Sequence, residues 1–522
     1  MKAKIRRKLK ALAKTVIGEI ERLSPISAKN IVTPRQAIDQ WLSQLKNLPD
    51  VKGRVLISAF RNKTWIEWSA YAACVIRQLG FETTILYKRD EIERLYHQPS
   101  YFNFWKAVEK IPGVILLDCN SLPFSISDFK QFYEDSLGSS IAALAYDLHV
   151  ESQDITENQS LYKQKLEDLR SESARNGARV QKLCFENKYY SFFCYSGLIR
   201  DTPMILKGAR NVGQETVCVE GWGWRQGHMI YNFNAPSLEY NVRGWMNYLG
   251  KMDNKKEEEL NKYFNFLEGK KQNEKWLNEF MKVQQAELNA VLPEHIASFV
   301  KGNEKIFLLA CNVIGDSSLL NRETIFKSHR DFVKQTINYF SDKPDIKLII
   351  RAHPGEGIVK NKVAIKIGDY AIEESKGMKN ILVINDWEKI NTFSIMPYIT
   401  SGLVWISSVG VDMVVRGIPV IAAAQPKYYG LGIVEEPKTK EEYFSMIEKF
   451  RKEKFSTSAK QIFAAKEYLY LIFKGFSFEA YGKNFRANTC KLNAMTNQLE
   501  HDKFYKILLR IEKAPDSNIR SI

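Results

Sequence analysis

The chain has 522 residues, of which 45% are hydrophobic and 26% are charged, and its formal net charge is +16. This length exceeds one ordinary hydrophobic core, so we expect two domains with additional segments. No run approaches 18 uninterrupted apolar residues, which argues against a transmembrane helix. The seven cysteines form no CxxC pair, so we expect reduced, buried thiols in a cytosolic protein and no metal cluster.

The first residues are basic and have the apolar spacing of an amphipathic helix. Seven cations and no acid lie between Lys2 and Lys14, and apolar residues recur at helical intervals from Ile5 to Leu23. Such a helix either lies on an anionic membrane surface through residues 2–23 or packs on the protein's own surface. The predicted location is therefore cytoplasmic, with peripheral attachment at the inner face of the cell membrane left open. The net charge implies an anionic partner, but no nucleic-acid-binding module is recognisable, so nucleic acid is not expected.

Strand and helix patterns alternate after this lead-in, which we assign to residues 1–48. A buried strand, a helix and a second strand follow one another between residues 51 and 87, as in a βαβ unit of a parallel sheet. Further strands are predicted at residues 113–118 and 216–220, with mainly helical sequence between them. The pattern predicts a Rossmann-like N-terminal domain over residues 49–248.

A charged segment rich in helix formers, residues 249–300, is predicted to be a helical connector. A second alternating unit follows it, with a helix predicted at residues 322–340. The spacing predicts a second Rossmann-like domain over residues 301–445, and helices over residues 446–522. The strands predicted for this domain are residues 305–311, 345–351, 380–384, 402–406 and 419–423.

A histidine follows one of these strands. His353 stands directly before Pro354, and proline biases the preceding residue away from helical conformation. We therefore expect the imidazole at the carboxyl edge of the sheet, where ligands of α/β proteins bind. There it either donates a hydrogen bond to a phosphate oxygen or has a structural role. Arg351 alternates to the other face of the strand, where it can instead be a structural ion-pair partner.

Two serines follow the strand at residues 402–406. Ser407 and Ser408 precede a short helix that ends near Gly417. A helix start that needs a serine cap also offers backbone N–H groups to a phosphate. Asp412, in the first turn, either reaches a ribose hydroxyl or complements the helix dipole. Together with His353, these residues favour a nucleotide-dependent transferase.

These segments resemble the capsule polysaccharide biosynthesis family of GT-B glycosyltransferases. The matching residues lie within Ala310–Asp316, Leu348–Glu356, Trp405–Val420 and Tyr428–Gly432. The resemblance is good over about residues 300–440 and thin before residue 190. It implies an α/β fold of GT-B type, in which two Rossmann-like domains face a central cleft and extra helices lie at both ends.

The resemblance also implies the substrates and their sites. The second domain holds a nucleotide-sugar donor, and the first domain meets a glycan or lipid-linked glycan acceptor. The residues that it implies for the donor are His353, Arg351, Pro354, Glu356, Ser407, Ser408, Gly410, Asp412 and Tyr429.

A carboxylate is expected to act as general base. Several bacterial sialyltransferase families pair an acidic–Gly motif in the first domain with the His–Pro and Ser–Ser motifs, and this chain has Glu220-Gly221 at a strand end. Neighbouring aromatic rings give a reason for a raised carboxyl pKa, which suits deprotonation of a sugar hydroxyl. The families often have two acids where this chain has one, so Asp316 is the rival candidate. The Ser196-Gly197 loop can line the same crevice.

The acceptor side and the leaving group lead to further expectations. Trp222 and Trp224 either stack on a sugar or belong to the core, and the same holds for Tyr429. No Asp–x–Asp pair occurs in the chain, so His353 and helix N-termini are expected to neutralise the leaving phosphate without a metal. No cofactor is expected beyond the nucleotide-sugar as co-substrate.

The predicted function is transfer of a sugar from a nucleotide-sugar to a surface glycan of capsule or lipopolysaccharide type. Two alternatives remain. Polyol-phosphate transferases of the teichoic-acid type carry similar His–Pro and Ser–Ser motifs and use a second histidine as base, a role that His228 can fill here. The other alternative is a non-catalytic protein that binds anions or nucleic acid.

Overall fold

The computed structural model describes most of both predicted domains. Asp39, Leu42 and Ile507 are the isolated described residues at the two ends of the chain. The predicted lead-in helix, Trp222, Trp224 and Cys490 lie outside the described residues. The described ranges are residues 48–59, 63–90, 105–221, 228–239, 241–267, 292–358 without 315, 317, 318, 320 and 321, 365–475 without 389, and 477–479.

Strands and helices alternate along much of the chain. The strands are β1 Gly53–Ala59, β2 Phe81–Tyr87, β3 Val114–Asp118, β4 Ser191–Tyr195, β5 Thr216–Gly221, β6 His228–Phe233, β7 Lys305–Ala310, β8 Ile346–Arg351, β9 Ile381–Ile384, β10 Ser401–Val404, β11 Val420–Ala422 and β12 Ser477–Glu479. The α-helices are α1 Lys63–Gln78, α2 Ile126–Asp135, α3 Leu137–Leu148, α4 Ser152–Glu157, α5 Gln159–Glu186, α6 Thr202–Asn211, α7 Val242–Leu249, α8 Asn254–Leu267, α9 Glu294–Val300, α10 His329–Ser341, α11 Gly355–Ile358, α12 Ile367–Glu374, α13 Thr392–Ile395, α14 Val409–Val415, α15 Lys440–Lys452 and α16 Ala459–Tyr470.

The chain divides into two compact units, of which the first contains β1 to β3. This unit comprises residues 1–118 and 479–512, and the second comprises residues 119–478 and 513–522. In the first unit β1 pairs with β2, and β2 with β3, all parallel. The buried helix α1 connects β1 to β2, so the predicted βαβ opening is confirmed. The division differs from the predicted domain boundaries, which stay predictions.

The second unit contains a parallel sheet in the order β11-β10-β7-β8-β9. Ala310 at the end of β7 pairs with Arg351 of β8 on one side and with Val404 of β10 on the other. Because the strands are parallel, their carboxyl ends share one edge. The chain extends the sheet from β7 through β9, then returns to the other side of β7 with β10. Ligands of open α/β sheets bind at such a switch point, here the carboxyl ends of β7 and β10.

The second unit also contains β4, β5 and β6. β4 and β5 are parallel, with Tyr195 opposite Val219, and β6 runs antiparallel to β5, with Glu220 opposite Ile230. The sequence analysis predicted β5 but neither β4 nor β6. The end of β4 therefore lies beside the end of β5, and this neighbour relation determines the surroundings of Glu220.

The predicted α/β fold class, with parallel Rossmann-like sheets, is confirmed. The helix predicted at residues 322–340 is wrong at its start, because α10 begins at His329 after Ser328, whose side chain caps it through the Asp331 N–H. The six described cysteines are free and buried, as predicted. Within the described ranges, no helix combines the length and apolar character needed to cross a membrane.

Candidate functional site

The carboxylate of Glu220 is held by two serine hydroxyls at the end of β5. Ser237 Oγ donates to Glu220 Oε2 at 2.7 Å, and Ser196 Oγ donates to the same oxygen at 3.0 Å. The two serines are themselves joined, because Ser237 N donates to Ser196 O at 2.8 Å. With the described residues, Glu220 forms no other side-chain hydrogen bond. Oε1 can therefore accept a proton or a hydrogen bond from a substrate.

The backbone next to Ser196 explains why this turn needs glycine. Ser196 and Gly197 both adopt positive φ, at 54° and 76°. A Cβ at Gly197 would lie 3.1 Å from Cys218 Sγ and from Pro236 Cα, so the position has neither the conformation nor the space for a side chain. This tight turn brings the Ser196 hydroxyl back towards β5. The serine and its glycine thus line the site that the sequence suggested.

Burial raises the pKa of the Glu220 carboxyl above its ordinary value. The hydrogen bonds from Ser237 and Ser196 and the charge of Lys427 oppose this rise, whereas the charge of Asp316 adds to it. The direction suits a general base that works near neutral pH. Its main cause is burial of the carboxyl, whereas the sequence argument relied on neighbouring aromatic rings.

The charge of Lys427, which the sequence analysis did not identify, acts on Glu220. Hydrogen bonds join the neighbouring loops: Arg322 Nη2 pairs with Glu239 Oε1 at 2.9 Å, and Gln425 N donates to Arg322 O at 3.0 Å. Glu239 is two residues after Ser237, and Lys427 is two residues after Gln425. Through Arg322, the loop after β6, whose Ser237 contacts Glu220, is joined to the loop after β11, which contains Lys427.

The surroundings of Lys427 alter the pKa of its amino group. Burial lowers the pKa of its amino group to about 8, and Arg322 lowers it further, while Glu220, Asp316 and Glu239 oppose the shift. Its amino group forms no hydrogen bond or ion pair with the part of the chain that the structure describes. A signal was available in the sequence, since Lys427 directly precedes the Tyr428–Gly432 segment of the family resemblance.

His353 follows β8, as predicted, and its ring is neutral. Gly355 N donates to His353 Nδ1 at 3.1 Å, so the proton of the neutral imidazole resides on Nε2. Burial lowers the pKa of His353 to about 4; the charge of Arg351 lowers it further, and that of Asp316 opposes the shift. At neutral pH the ring can therefore donate one hydrogen bond through Nε2 and carries no charge.

The charge of Asp316 acts on both Glu220 and His353. Its charge acts on the pKa of Glu220, of Lys427 and of His353. Asp316 is exposed in the loop after β7, at the switch point of the sheet. Tyr146 of α3 is near the same group, since its pKa is raised by burial and then by Asp316 and Glu220. The charge of Asp316 thus acts on the other predicted catalytic carboxylate and on His353, while their catalytic roles stay predictions.

His329 is a second histidine at this edge that sequence reasoning missed. It is 2% exposed at the start of α10, and its Nε2 accepts a long hydrogen bond of 3.5 Å from Asn312 N. Burial lowers its pKa to about 3, with a smaller contribution from His353. Asn312 Oδ1 in turn accepts from Ile406 N at 3.3 Å. These contacts join the loops after β7 and β10 next to His353.

Arg351 and Glu356 lie beneath the His353 turn. The Arg351 guanidinium donates to Asn385 O at 2.6 Å and to Ile390 O at 2.9 Å, and burial lowers its pKa to about 10. Glu356 is fully buried; its Oε1 accepts from Ile367 N at 3.2 Å, and burial raises its pKa to about 7. Both side chains support the turn from inside. Direct contact of either residue, or of the buried Pro354, with the donor stays a prediction.

The two serines lie where β10 meets α14. Ser408 is the N-cap residue of α14 but forms no side-chain cap hydrogen bond, and Ser407 O accepts from Tyr428 Oη at 2.7 Å. A Cβ on Gly410 would lie 2.5 Å from Tyr428 Oη, so this glycine lets the tyrosine approach. The Ser408 hydroxyl is thus not used by the helix that it precedes. Phosphate binding by Ser407, Ser408 and Gly410 stays a prediction.

Asp412 is buried within the protein, at 2% exposure. Burial raises its pKa to about 7 and Arg416 opposes the shift; its charge acts on Tyr263 and Tyr428. Among the described residues, its Oδ1 has no hydrogen-bond partner. The carboxyl therefore lies inside the protein and not at the surface of the helix. Its contact with a ribose stays a prediction.

The remaining candidates have fewer described contacts. Tyr429 is partly exposed, with Lys438 Nζ 4.5 Å from the centre of its ring. His228 begins β6, and its role as an alternative base stays a prediction. Within the ranges that the structure describes, no three His, Cys, Asp or Glu side chains are arranged to hold a metal ion.

Comparison with known proteins bears on the second half of the chain. The sequence profile of the family described as capsule polysaccharide biosynthesis protein matches residues 257–472, which confirms the predicted resemblance for this segment. The segment contains His353, Ser407 and Ser408, whereas Glu220 precedes it. No curated protein matches the chain.

Several solved structures resemble this one at low sequence identity. They include KpsC of Thermosulfurimonas dismutans as beta Kdo 2,7 transferase, with 13% identity, a TM-score of 0.35 and coverage of 59% of this chain and 84% of that chain. The beta Kdo 2,4 transferase of the same protein has 14% identity, a TM-score of 0.35 and coverage of 53% and 79%. S. aureus MnaA with UDP has 9% identity, a TM-score of 0.28 and coverage of 89% and 99%.

Proposed function

We propose that the protein is a glycosyltransferase that moves a sugar from a nucleotide-sugar donor to a surface glycan acceptor of capsule or lipopolysaccharide type. The main support is one relationship: the charge of Asp316 acts both on Glu220, whose carboxylate is held by two serine hydroxyls, and on His353, whose Nδ1 accepts from Gly355 N. The match of residues 257–472 to the capsule polysaccharide biosynthesis family supports the surface-glycan class.

In the proposed reaction, Glu220 accepts the proton of an acceptor hydroxyl at Oε1. The acceptor oxygen then forms a bond to the anomeric carbon of the donor sugar, and the bond from that carbon to the nucleotide phosphate oxygen breaks. Two hydroxyl donors hold Oε2, which leaves the other oxygen oriented for this step. A carboxylate that is preorganised in this way loses little free energy to reorientation during proton transfer.

The departing phosphate takes the bonding electron pair, and its negative charge must be stabilised. His353 supplies the Nε2–H donor, since its Nδ1 already accepts from Gly355 N. Ser408 supplies a hydroxyl that the cap of α14 does not use. Hydrogen-bond donors fixed before the reaction stabilise such charge more effectively than mobile water does. A divalent metal is not required in this proposal.

A thermal-shift panel of CMP, UDP, GDP, ADP and CDP tests the donor half of the proposal. A ligand at about 100 times its Kd stabilises a folded protein by about 2.7 kcal/mol. We expect one nucleotide to raise Tm selectively, and His353→Ala and Ser408→Ala to reduce this rise. Ser341→Ala serves as the control, because Ser341 is exposed and, within the described ranges, its hydroxyl donates to Asn338 O alone. If none of the nucleotides raises the Tm of the native sequence, the proposal is wrong.

A further inference from the structure

The loop between β9 and α13, residues 385–391, exposes a tryptophan among buried polar residues. Trp387 is 59% exposed, whereas Asn385, Asp386 and Asn391 are 0%, 8% and 3% exposed. Its ring packs on no other aromatic ring of the described residues. An exposed indole forgoes a large hydrophobic stabilisation, which makes it a feature to explain.

The loop is fixed on both sides of Trp387. Arg351 donates to Asn385 O at 2.6 Å before the tryptophan and to Ile390 O at 2.9 Å after it. Glu388, the next residue, accepts from Asn385 N at 2.8 Å. The loop therefore closes on itself and on a buried guanidinium, with the indole at its outer side.

Further contacts anchor the loop to neighbouring helices. Asp386 pairs with Lys366 at 2.8 Å, and Asn385 Nδ2 donates to Asp369 Oδ1 at 2.9 Å at the start of α12. Glu388 Oε2 is 2.9 Å from His295 Nε2 of α9. A loop with this many polar anchors holds its exposed side chain in position before a ligand arrives. Such preorganisation reduces the entropy lost on binding.

The loop leaves the sheet next to the His353 turn. Arg351 and Ile384 are paired in register at the carboxyl ends of β8 and β9. His353 is two residues beyond Arg351, and Trp387 is three residues beyond Ile384. Neighbouring strands lie about 4.8 Å apart, so the loops that carry the indole and the imidazole leave adjacent strands at one edge of the sheet. Arg351 couples them directly, since it belongs to the strand of one and holds the loop of the other.

We propose that Trp387 is the stacking surface for the nucleobase of the donor, and this inference rests on the proposed function. The flat face of an indole suits a planar heteroaromatic base, which every nucleotide donor carries. A phosphate bound near His353 leaves the nucleoside to extend along the same edge of the sheet. Trp387 thus contributes affinity for the nucleoside part of the ligand and none for its phosphate.

The test separates the base from the phosphate. Dissociation constants of CMP, UMP, AMP and ribose 5-phosphate are measured by calorimetry for the native sequence, Trp387→Ala and Trp387→Phe. Tyr398→Ala is the control, because Tyr398 is a 47% exposed aromatic residue three positions before β10, at the amino edge of the same sheet. The circular dichroism spectrum and Tm of each variant establish that it is folded.

Stacking of one base on an aromatic side chain accounts for about a 10- to 100-fold difference in affinity. We expect Trp387→Ala to weaken nucleotide binding by this factor, Trp387→Phe to retain most of it, and Tyr398→Ala to change nothing. Ribose 5-phosphate should bind equally to all four proteins. Equal nucleotide affinity in Trp387→Ala would overturn the inference alone, as would an equal loss of ribose 5-phosphate. Absence of nucleotide binding by the native sequence would overturn the proposed function together with it.

Discussion

Ser237 donates a hydrogen bond of 2.7 Å to Glu220 Oε2, which ties the end of β5 to the turn after β6. This contact favours the ionised carboxyl, because the hydroxyl donates to its negative charge. Burial acts in the opposite direction and is the larger effect on the pKa of Glu220. Because these two effects oppose each other, a small change in either one should alter the pKa of Glu220.

Replacement of Ser237 should therefore shift the pH dependence of transfer. Ser237→Ala removes one of two hydrogen bonds that lower the Glu220 pKa, so this pKa should rise. The acid limb of the kcat/KM profile should move to higher pH by the same amount, while kcat at pH 9 stays close to that of the native sequence. Ser341→Ala is the matched control. An acid limb that does not move would show that the Ser237 contact has no effect on the base.

Paired amide substitutions discriminate between the two candidate bases. Glu220→Gln should lower kcat by about 10²- to 10⁴-fold while the Kd of the nucleotide changes little, because general-base catalysis accounts for an effect of this size. Asp316→Asn should cost less, since Asp316 is exposed, whereas Glu220 is held by two serine hydroxyls. Single-turnover transfer assays with both variants measure this order. The reverse order would assign the base to Asp316.

The sequence was sufficient for the strands whose apolar runs are continuous. β8 was predicted at residues 345–351 and spans Ile346–Arg351. β6 was missed because HMIYNF mixes polar and apolar residues, and only pairing with β5 identifies it. The start of α10 was placed too early even though Ser328 and Asp331 form a cap signal, because the apolar pattern was extended past it.

The candidate site was predictable only where a residue lies next to a strand end. His353 and Asp316 each follow a strand of the same parallel sheet, so their position at its carboxyl edge follows from the rule for such sheets. Glu220 ends a strand of the other sheet, so the rule does not predict its approach to them. Lys427 and Ser237 reach Glu220 from loops far along the chain, and no local pattern encodes such an approach. Arg351 was expected on the opposite face of its strand, where it now proves to hold the loop of Trp387.

The charge of Lys427 should also influence the base. Lys427→Met removes a cation that lowers the Glu220 pKa, so the acid limb of kcat/KM should move to higher pH, and Lys427→Arg should leave it in place. The native sequence and Lys427→Met should become more alike above about pH 8, where Lys427 itself loses its proton. Lys376→Met, with a side chain 78% exposed, is the control. Equal profiles for the Met and Arg variants would contradict this role.

Gly410 should be required for the packing of Tyr428. In Gly410→Ala the new Cβ would meet Tyr428 Oη at 2.5 Å, which disrupts the hydrogen bond to Ser407 O. We expect a loss of about 1–3 kcal/mol in the free energy of unfolding, as in other overpacked sites. Addition of Tyr428→Phe removes the clashing oxygen, so the double variant should be more stable than Gly410→Ala alone. Urea denaturation of the native sequence, Gly410→Ala, Tyr428→Phe and the double variant measures this, and additive losses would exclude the contact as the cause.

Asp412 should make the fold less stable as the pH rises. Burial raises its pKa from 3.8 to about 7, so the folded chain binds this proton more tightly than the unfolded chain does. The stability contributed by the protonated group is complete below pH 3.8 and is lost as the pH rises through about 7. Asp412→Asn cannot ionise, so the loss of stability between pH 5.5 and 8 should be smaller by about 2 kcal/mol than for the native sequence. Urea denaturation at the two pH values measures this difference.

Asp342→Asn is a control of opposite sign. Lys343 lowers the pKa of Asp342, so removal of the Asp342 carboxyl cannot reduce the loss of stability between pH 5.5 and 8. If Asp412→Asn loses as much stability as the native sequence over this interval, Asp412 is already ionised in the folded protein.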